Sequence, residues 1–206
     1  MSYEDYGYSV AGVSGSAAEI YAAVVRLLET HVVAGARLLD LGCGNGHFTQ
    51  SLVNKGFQAS GVDKSSTGIA VAKKSHPDVA FVCGTAETML QSGQPLFDAV
   101  VSIEVIEHCP STSQFCAELV GCLRPGGSVI VTTPYHGYIK NLVIAVLGMH
   151  DRHFNPLWDG GHIKFFSVRT LTKALQNAGL RVASARLVGR VPLLAKSMVV
   201  HAIKPE

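Results

Sequence analysis

The sequence predicts an α/β fold in which helices cover both faces of a mostly parallel sheet. Three observations support this prediction. Strand-like runs alternate with helical ones along most of the 206 residues, and this order is typical of parallel sheets. A glycine-rich loop at 42–46 directly follows the first strand-like run. Pro125, Gly126 and Gly127 then end a helical run shortly before another strand-like run, as stop signals do.

The elements follow one another in a regular order. Apolar runs rich in β-branched residues predict strands at 37–41, 58–62, 79–83, 97–103, 128–132, about 180–187 and 197–203. Apolar residues at helical spacing predict helices at 17–30, from 47, from 67, at 113–123 and at 168–178. Because the order ends strand, helix, strand, strand, we expect the last strand to enter the sheet as a hairpin.

Length and composition predict one domain over 1–206. Within it we expect 1–16 to be a flexible N-terminal segment and 134–166 to be an insertion that caps the substrate. The five cysteines form an odd set without C-x-x-C pairs, and no signal peptide is evident. These features favour a reducing, cytoplasmic setting.

The charge pattern bears on the partners. The net charge is +2, and no run of lysine and arginine resembles a phosphate-binding stripe. A nucleic-acid partner is therefore not indicated. The longest apolar stretch, 142–147, is far shorter than the ~20 residues that a membrane span needs. The sequence gives no indication of oligomeric state.

Residues 37–46 read RLLDLGCGNG. Glycines at 42, 44 and 46 let the backbone turn sharply and approach a ligand closely. A loop of this kind after the first strand of a parallel sheet indicates a nucleotide-type cofactor. His47 stands where a dinucleotide-binding G-x-G-x-x-G has its third glycine, and Asp40 is an unusual neighbour for that motif. An NAD-dependent dehydrogenase is therefore a disfavoured alternative.

Together with this loop, four further motifs resemble the class I S-adenosylmethionine (SAM) dependent methyltransferases, at 61–63, 97–101, 123–127 and 178–180. The resemblance covers about residues 36–182. It implies a Rossmann-like, seven-stranded, mostly parallel sheet with an antiparallel last strand, and SAM as cofactor. Segments 102–108, 141–148 and 161–165 are most similar to the quinone-ring (3-demethylubiquinone) O-methyltransferases of ubiquinone biosynthesis.

The resemblance implies roles for several residues. The glycines would lie under the methionine part of SAM, and Asp40 would orient its amino group directly or through water. Asp63 lies 19 residues after Gly44 at the end of the second strand, so its carboxylate can accept both ribose hydroxyls. Ile103 would pack on the adenine, and Thr85 replaces an acid found in relatives. The predicted cofactor-binding residues are Asp40, Gly42, Cys43, Gly44, Asp63, Lys64, Thr85, Ala86, Glu87 and Ile103.

Glu104, Glu107 and His108 have the spacing i, i+3, i+4, which places side chains on the same side of a helical turn. Two carboxylates and an imidazole can hold a divalent cation. In the quinone enzymes, and in small-RNA 3′-terminal ribose methyltransferases, E-x-x-E-H resembles a magnesium site, and His162 is our candidate for completing it with Mg²⁺. In the alternative, the two acids line the SAM pocket while His108 acts as a base or packs.

The resemblance predicts methylation of an oxygen on a small or lipid-like hydroxylated acceptor, such as a catechol, quinol or diol. His108, His136 or His162 would take the proton near neutral pH. An RNA 3′-terminal ribose 2′-O-methyltransferase is the alternative nearest in chemistry, and the nearly neutral charge disfavours it. Aromatic residues of the insertion are expected around the acceptor: Tyr135, Tyr138, Phe154, Trp158, Phe165 and Phe166.

Two predictions concern the edges of the site. The apolar segment 142–147 either rests on a membrane surface, as in the quinone enzymes, or forms a buried helix within the cap. Three tyrosines near the N-terminus, Tyr3, Tyr6 and Tyr8, either close over the cofactor or belong to a mobile segment.

Overall fold

A computed structural model describes residues 17–91, 93, 95–158, 160–189 and 195–206. The predicted flexible segment 1–16, with its three tyrosines, lies outside the described residues. The assignment of 1–206 to a single domain stays a prediction. In the described part of the chain, none of the helices has the length and hydropathy needed to cross a bilayer.

The described strands are β1 Arg37–Leu41, β2 Gln58–Asp63, β3 Phe81–Cys83, β4 Phe97–Ile103, β5 Leu123–Pro134, β6 Arg181–Val188 and β7 Ser197–Ile203. The described helices are α1 Ala17–His31, α2 His47–Asn54, α3 Ser66–Ser75, α4 Ala86–Gln91, α5 Thr112–Cys122, α6 Tyr138–Val146, α7 His150–Phe154 and α8 Val168–Asn177. A short 3₁₀ helix at Ile106–His108 follows β4.

The strands form one sheet in the order β3-β2-β1-β4-β5-β7-β6. The first five pair in parallel, and β7 runs antiparallel to both β5 and β6. The predicted fold, the antiparallel last strand and its hairpin-like pairing are confirmed. The strand order reverses between β1 and β4, and ligands of such sheets bind at the carboxyl ends of the strands beside this reversal.

Helices cover both faces of the sheet because successive strand residues point to opposite sides. Leu38 and Ile130 pack with α1 and α2, whereas their neighbours Leu39 and Val131 pack with α5 and α8. With both faces covered, these strands read as nearly continuous apolar runs. This burial is the reason why the strands could be located from the sequence.

The structure corrects the predicted elements at three places, the first of which is the insertion 134–166, where the unpredicted helix α7 follows α6. Strand β5 begins at Leu123 rather than at residue 128, because Leu123 already pairs with Phe97 before the register shifts. Asp98 stabilises this start, since its carboxylate accepts hydrogen bonds from the Arg124 side chain and the Arg37 backbone N–H. Strand β3 is shorter than predicted, and the unpredicted helix α4 follows it.

Candidate active site

A cavity of about 890 Å³ opens at the carboxyl ends of β1, β2 and β4. We call it the first cavity. Its floor includes Gly42 after β1, Asp63 at the end of β2 and Ile103 at the end of β4. The start of α5, Trp158 and residues 160–163 form its other sides. The cavity therefore lies beside the reversal of strand order, where a nucleotide-like ligand is expected.

The glycine-rich loop is held against β2 by its backbone. The N–H groups of Gly42 and Cys43 donate to the carbonyl of Val62 at 2.8 and 3.1 Å. Gly42 has a φ of 84°, and a Cβ at this position would collide with the side chain of Val105. A Cβ at Gly46 would lie 2.6 Å from the ring of Phe81. These two positions require glycine for both conformation and space.

Asp63 connects this loop to the cavity. Its Oδ2 accepts the N–H of Gly44 at 2.8 Å, and its Oδ1 accepts the N–H of Ser65 at 2.7 Å. A carboxylate oxygen can accept more than one hydrogen bond. Because Asp63 also lines the first cavity, its carboxylate is placed to accept ligand hydroxyls. Lys64, Thr85 and Ile103 line the same cavity.

Other predicted cofactor residues lie away from the described lining of the first cavity. Asp40 is buried, accepts a hydrogen bond from the hydroxyl of Thr49 at 2.7 Å, and has its pKa raised by burial to about 7. Cys43 and Ala86 pack in the apolar core. Glu87 is exposed and accepts a hydrogen bond from Gln91. Gly44 contributes its N–H to Asp63.

The prediction that Glu104, Glu107 and His108 share one helical turn is wrong. Glu104 lies between β4 and the 3₁₀ helix and has a left-handed φ of 55°. Its carboxylate accepts hydrogen bonds from the hydroxyls of Thr132 at 2.8 Å and Ser197 at 3.1 Å. Burial raises the pKa of Glu104, and the two hydroxyls oppose that rise. The side chain of Glu104 is therefore directed to β5 and β7.

Glu107 and His108 instead meet His162. Ligand atoms of these three residues lie within 4.8 Å of one another. His162 is brought next to Glu107 and His108 because the N–H groups of Ile163 and Lys164 donate to the Glu107 carbonyl at 2.9 and 3.1 Å. The cluster therefore joins a segment after β4 to a segment more than fifty residues later.

The surroundings of the cluster orient its donor atoms. His108 Nδ1 lies 2.8 Å from the Gly160 carbonyl, which can only accept, so Nδ1 carries the proton and Nε2 the lone pair. Thr133 donates to Glu107 Oε2 at 2.8 Å, whereas the buried Oε1 has no hydrogen-bond partner among the described residues. His108 Nε2 lies 4.0 Å from this Oε1. Such outer hydrogen bonds are typical of metal-binding histidines and carboxylates.

A second cavity of about 730 Å³ adjoins the first. Four residues line both cavities and form a wall between them, Ile103, Glu104, Trp158 and His162. The second cavity is also lined by residues of α1, of the end of β5 and of α6 and α7. It contains His136, whose pKa burial lowers to about 4. Burial also lowers the pKa of His162 to about 4, with His108 as the next cause.

The aromatic residues of the insertion have different surroundings. Trp158 lines both cavities and Phe154 lines the second. Phe166 is buried in the core, and Tyr135 packs against it. The Phe165 ring contacts His136 edge-on at 5.0 Å between centroids. Tyr138 is 79% exposed on α6.

Helix α6 presents an apolar face to the outside. Among its buried residues is Ile144, whereas six neighbours are exposed, Tyr138, Ile139, Leu142, Val143, Val146 and Leu147. The prediction of a buried helix at 142–147 is therefore wrong. Contacts with the other described residues leave this segment largely exposed.

Sequence reasoning missed the hydroxyls that hold the two acids. Thr132 and Thr133 end the apolar run of β5, and a pair of hydroxyls at the carboxyl end of a predicted strand is a signal for them. Ser197 carries no such signal. Lys140, which lines the second cavity, does carry a signal, because it is a cation within the largely apolar sequence of α6.

Comparison with known proteins places these features in context. A family model described as a methyltransferase domain matches residues 15–185. Over 155 residues, the chain is 34% identical to a ubiquinone biosynthesis O-methyltransferase of Rhodopseudomonas palustris, covering 73% of this chain and 60% of that protein. Over 161 residues it is 32% identical to the enzyme of the same name from Azoarcus, covering 74% and 67%. The chain thus spans about 60% of the length of the first of these relatives.

Two solved structures are similar in fold. Magnesium protoporphyrin IX methyltransferase from Synechocystis, with bound S-adenosylhomocysteine, superposes with a TM-score of 0.70 at 17% identity, over 96% of this chain and 90% of that one. A TehB-like SAM-dependent methyltransferase from Corynebacterium glutamicum gives 0.62 at 17% identity, over 88% and 86%. At this identity the likeness concerns the fold alone.

Proposed function

This chain belongs to the class I SAM-dependent methyltransferases, and we propose that it methylates an oxygen of a small hydroxylated acceptor. Membership of this family makes the dehydrogenase alternative wrong. The net charge of the chain is close to neutral and does not support methylation of an RNA terminus. The relatives named as O-methyltransferases support an oxygen as the methylated atom.

SAM supplies a methyl group that is already activated on a sulfonium sulfur. The first cavity fits this cofactor, because Gly42, which has no side chain, and the carboxylate-bearing Asp63 line it at the carboxyl ends of β1 and β2. We propose that Asp63 accepts the ribose hydroxyls and that Ile103 contacts the base. Asp40 would hold the start of α2 through Thr49, and orient the cofactor's amino group directly or through water.

The observation that carries the proposal is the wall shared by the two cavities. A cofactor in the first cavity and an acceptor in the second would meet at Ile103, Glu104, Trp158 and His162. Holding two reactants in such an arrangement contributes on the order of 7–11 kcal/mol toward lowering the barrier. Glu104 is suited to accept the acceptor's proton, because burial raises its pKa toward the range where a general base works best.

We further propose that Glu107, His108 and His162 hold a divalent ion, which would orient and polarise the acceptor oxygen. The buried, unpartnered Glu107 Oε1 fits a cation. The donor set is one carboxylate and two imidazoles, which suits Mn²⁺ or another first-row ion better than Mg²⁺, because Mg²⁺ prefers oxygen ligands. Binding of Mg²⁺ at this site therefore stays a prediction from the family resemblance. In this proposal His108 and His162 are metal ligands rather than bases. His136 lines the second cavity but not the first.

We expect the chain to methylate a catechol oxygen from labelled SAM, with turnover falling about a hundredfold or more when EDTA removes the ion, since a polarising ion contributes several kcal/mol. Turnover should be measured by product mass with Mg²⁺, Mn²⁺, Zn²⁺ or EDTA. The change Glu107→Gln should abolish the ion dependence, because it removes a charged ligand. Glu118→Gln is the matched control, since Glu118 lines the first cavity outside the cluster. Turnover that EDTA leaves unchanged refutes the ion, and no transfer to any catechol, quinol or diol refutes O-methylation.

We also propose that the exposed apolar face of α6 rests on a membrane surface. Val146 and Leu147 are 76% and 63% exposed, and apolar side chains on one helix face favour insertion at the lipid interface. A lipid-like acceptor would then enter from the membrane. Wild-type protein should float with phosphatidylcholine vesicles in a density gradient.

Vesicle flotation tests this face directly. Val146→Asp with Leu147→Asp should reduce the floated fraction about tenfold, because charges oppose burial in lipid. Leu157→Asp should leave it unchanged, since Leu157 is 89% exposed but lies outside α6. Wild-type protein that stays with the soluble fraction, or equal losses in both variants, would contradict membrane contact through α6.

A further inference from the structure

We infer that the second cavity binds an acidic group of the acceptor, a carboxylate or similar anion, through Lys140, Lys196 and His136. The inference rests on the proposed function, because it treats the second cavity as the acceptor site. It adds a chemical class to that acceptor, namely a molecule with both a reactive hydroxyl and a separate negative charge.

The two lysines supply the positive charge. Lys140 extends from α6 into the lining, where its Nζ donates to the Tyr135 carbonyl at 2.9 Å. A carbonyl orients an ammonium group but does not neutralise it. Lys196, just before β7, lines the same cavity, and its backbone is fixed by hydrogen bonds with Tyr135 and Val188.

The described acid facing these lysines is Glu104. Its two carboxylate oxygens accept the hydroxyls of Thr132 and Ser197, and its charge balances that of Lys140. Tyr21 is the other described lining residue of acidic character, and burial raises its pKa to about 12, so it is neutral. The described lining of this cavity therefore carries two lysines and one carboxylate.

The histidines of the cavity respond to this positive field. Burial followed by Lys140 lowers the pKa of both His136 and His153. Because its pKa is about 4, the His136 ring is neutral near pH 7, so the excess positive charge of the lining comes from the two lysines. A bound anion would compensate this charge.

His136 provides an independent indication of a ligand. Its side chain is more than nine-tenths buried and lines the second cavity. The Asn141 side chain lies beside the ring and raises its pKa, but neither ring nitrogen makes a hydrogen bond of good geometry among the described residues. The ring is held by stacking on Phe154 at 5.7 Å and by the edge-on contact with Phe165. A buried imidazole is costly without a partner, and its N–H can donate to an anionic oxygen.

Binding of two matched catechols tests the inference independently of turnover. Calorimetry on protein saturated with S-adenosylhomocysteine compares 3,4-dihydroxybenzoate with 3,4-dihydroxybenzamide, which differ in charge but hardly in shape. We expect the acid to bind about tenfold more tightly, since hydrogen bonds to charged groups exceed neutral ones. Lys140→Gln and Lys196→Gln should each remove most of this preference.

Lys55→Gln is the control, because Lys55 pairs with Glu29 on the surface at 3.3 Å. It should retain the full preference. Lys196 is exposed, so its variant remains informative if Lys140→Gln fails to fold. Equal binding of the acid and the amide, or binding of neither, overturns the inference, as does a preference that survives both lysine changes. Failure of the proposed function would differ, since no catechol would then be methylated whatever the binding preference.

Discussion

Replacing Asp63 with asparagine should weaken binding of S-adenosylhomocysteine by about a hundredfold or more, because charge-assisted hydrogen bonds contribute about 1.5–3 kcal/mol each. The change removes the charge offered to the ligand hydroxyls. It also replaces an acceptor of the Gly44 or Ser65 N–H by an amide NH₂, since both carboxylate oxygens accept backbone donors. Loop position and ligand contact are therefore lost together. Calorimetry on folded protein gives the dissociation constant directly.

Asp98→Asn is the matched control for this experiment. Asp98 also accepts a backbone N–H, from Arg37 at 2.8 Å, but it lies at the start of β4, at the opposite end of the strand from the cavity. Its replacement should lower stability without changing ligand affinity. If Asp63→Asn binds the ligand within threefold of the wild-type affinity, Asp63 does not hold the cofactor.

Replacing Gly42 with alanine should weaken cofactor binding about thirtyfold or more, because relieving a forced contact costs about 1–3 kcal/mol and here displaces the cavity lining. The new Cβ would collide with Val105, which itself lines the first cavity. Relieving that collision moves either the loop or Val105, and both define the cavity. Affinity is measured by calorimetry and stability by urea unfolding.

Gly56→Ala separates this contact from the cost of a left-handed backbone. Gly56 has nearly the same φ, 86° against 84°, but a Cβ there would meet open space. Alanine at this position should cost a similar backbone energy and leave cofactor affinity unchanged. Equal loss of affinity in the two alanine variants would show that the Val105 contact and the position of Gly42 in the cavity are unimportant.

Much of the architecture could be predicted because local preferences and tertiary structure agree. Strands buried on both faces give apolar runs, as in 97–103, which β4 matches residue for residue. Helices α1, α5 and α8 lie within one residue of their predicted bounds. Helix α4 was missed because six residues are too few to show a helical period. The early start of β5 was missed because its first pair, Leu123 with Phe97, precedes a register shift.

The site was less predictable. Spacing suggested that Glu104 belongs with Glu107 and His108, but that inference assumed a regular helix after β4. The left-handed backbone at Glu104 turns its carboxylate to hydroxyls on β5 and β7. The motif predicts that Asp40 contacts the cofactor directly or through water; the structure shows it buried and hydrogen-bonded to Thr49, and the contact stays a prediction.

By itself the sequence determined the order of elements, the reversed last strand and the glycine positions, since each depends on neighbouring residues or on backbone conformations that few residue types adopt. Only the tertiary structure decided that Glu104 turns away from Glu107, His108 and His162, and that Lys140, Lys196 and His136 line one cavity. The members of each group come from separate segments of the chain, and their positions depend on strand order and on the hydrogen bonds from Ile163 and Lys164 to the Glu107 carbonyl. Long-range packing of this kind leaves no periodic trace in the chain.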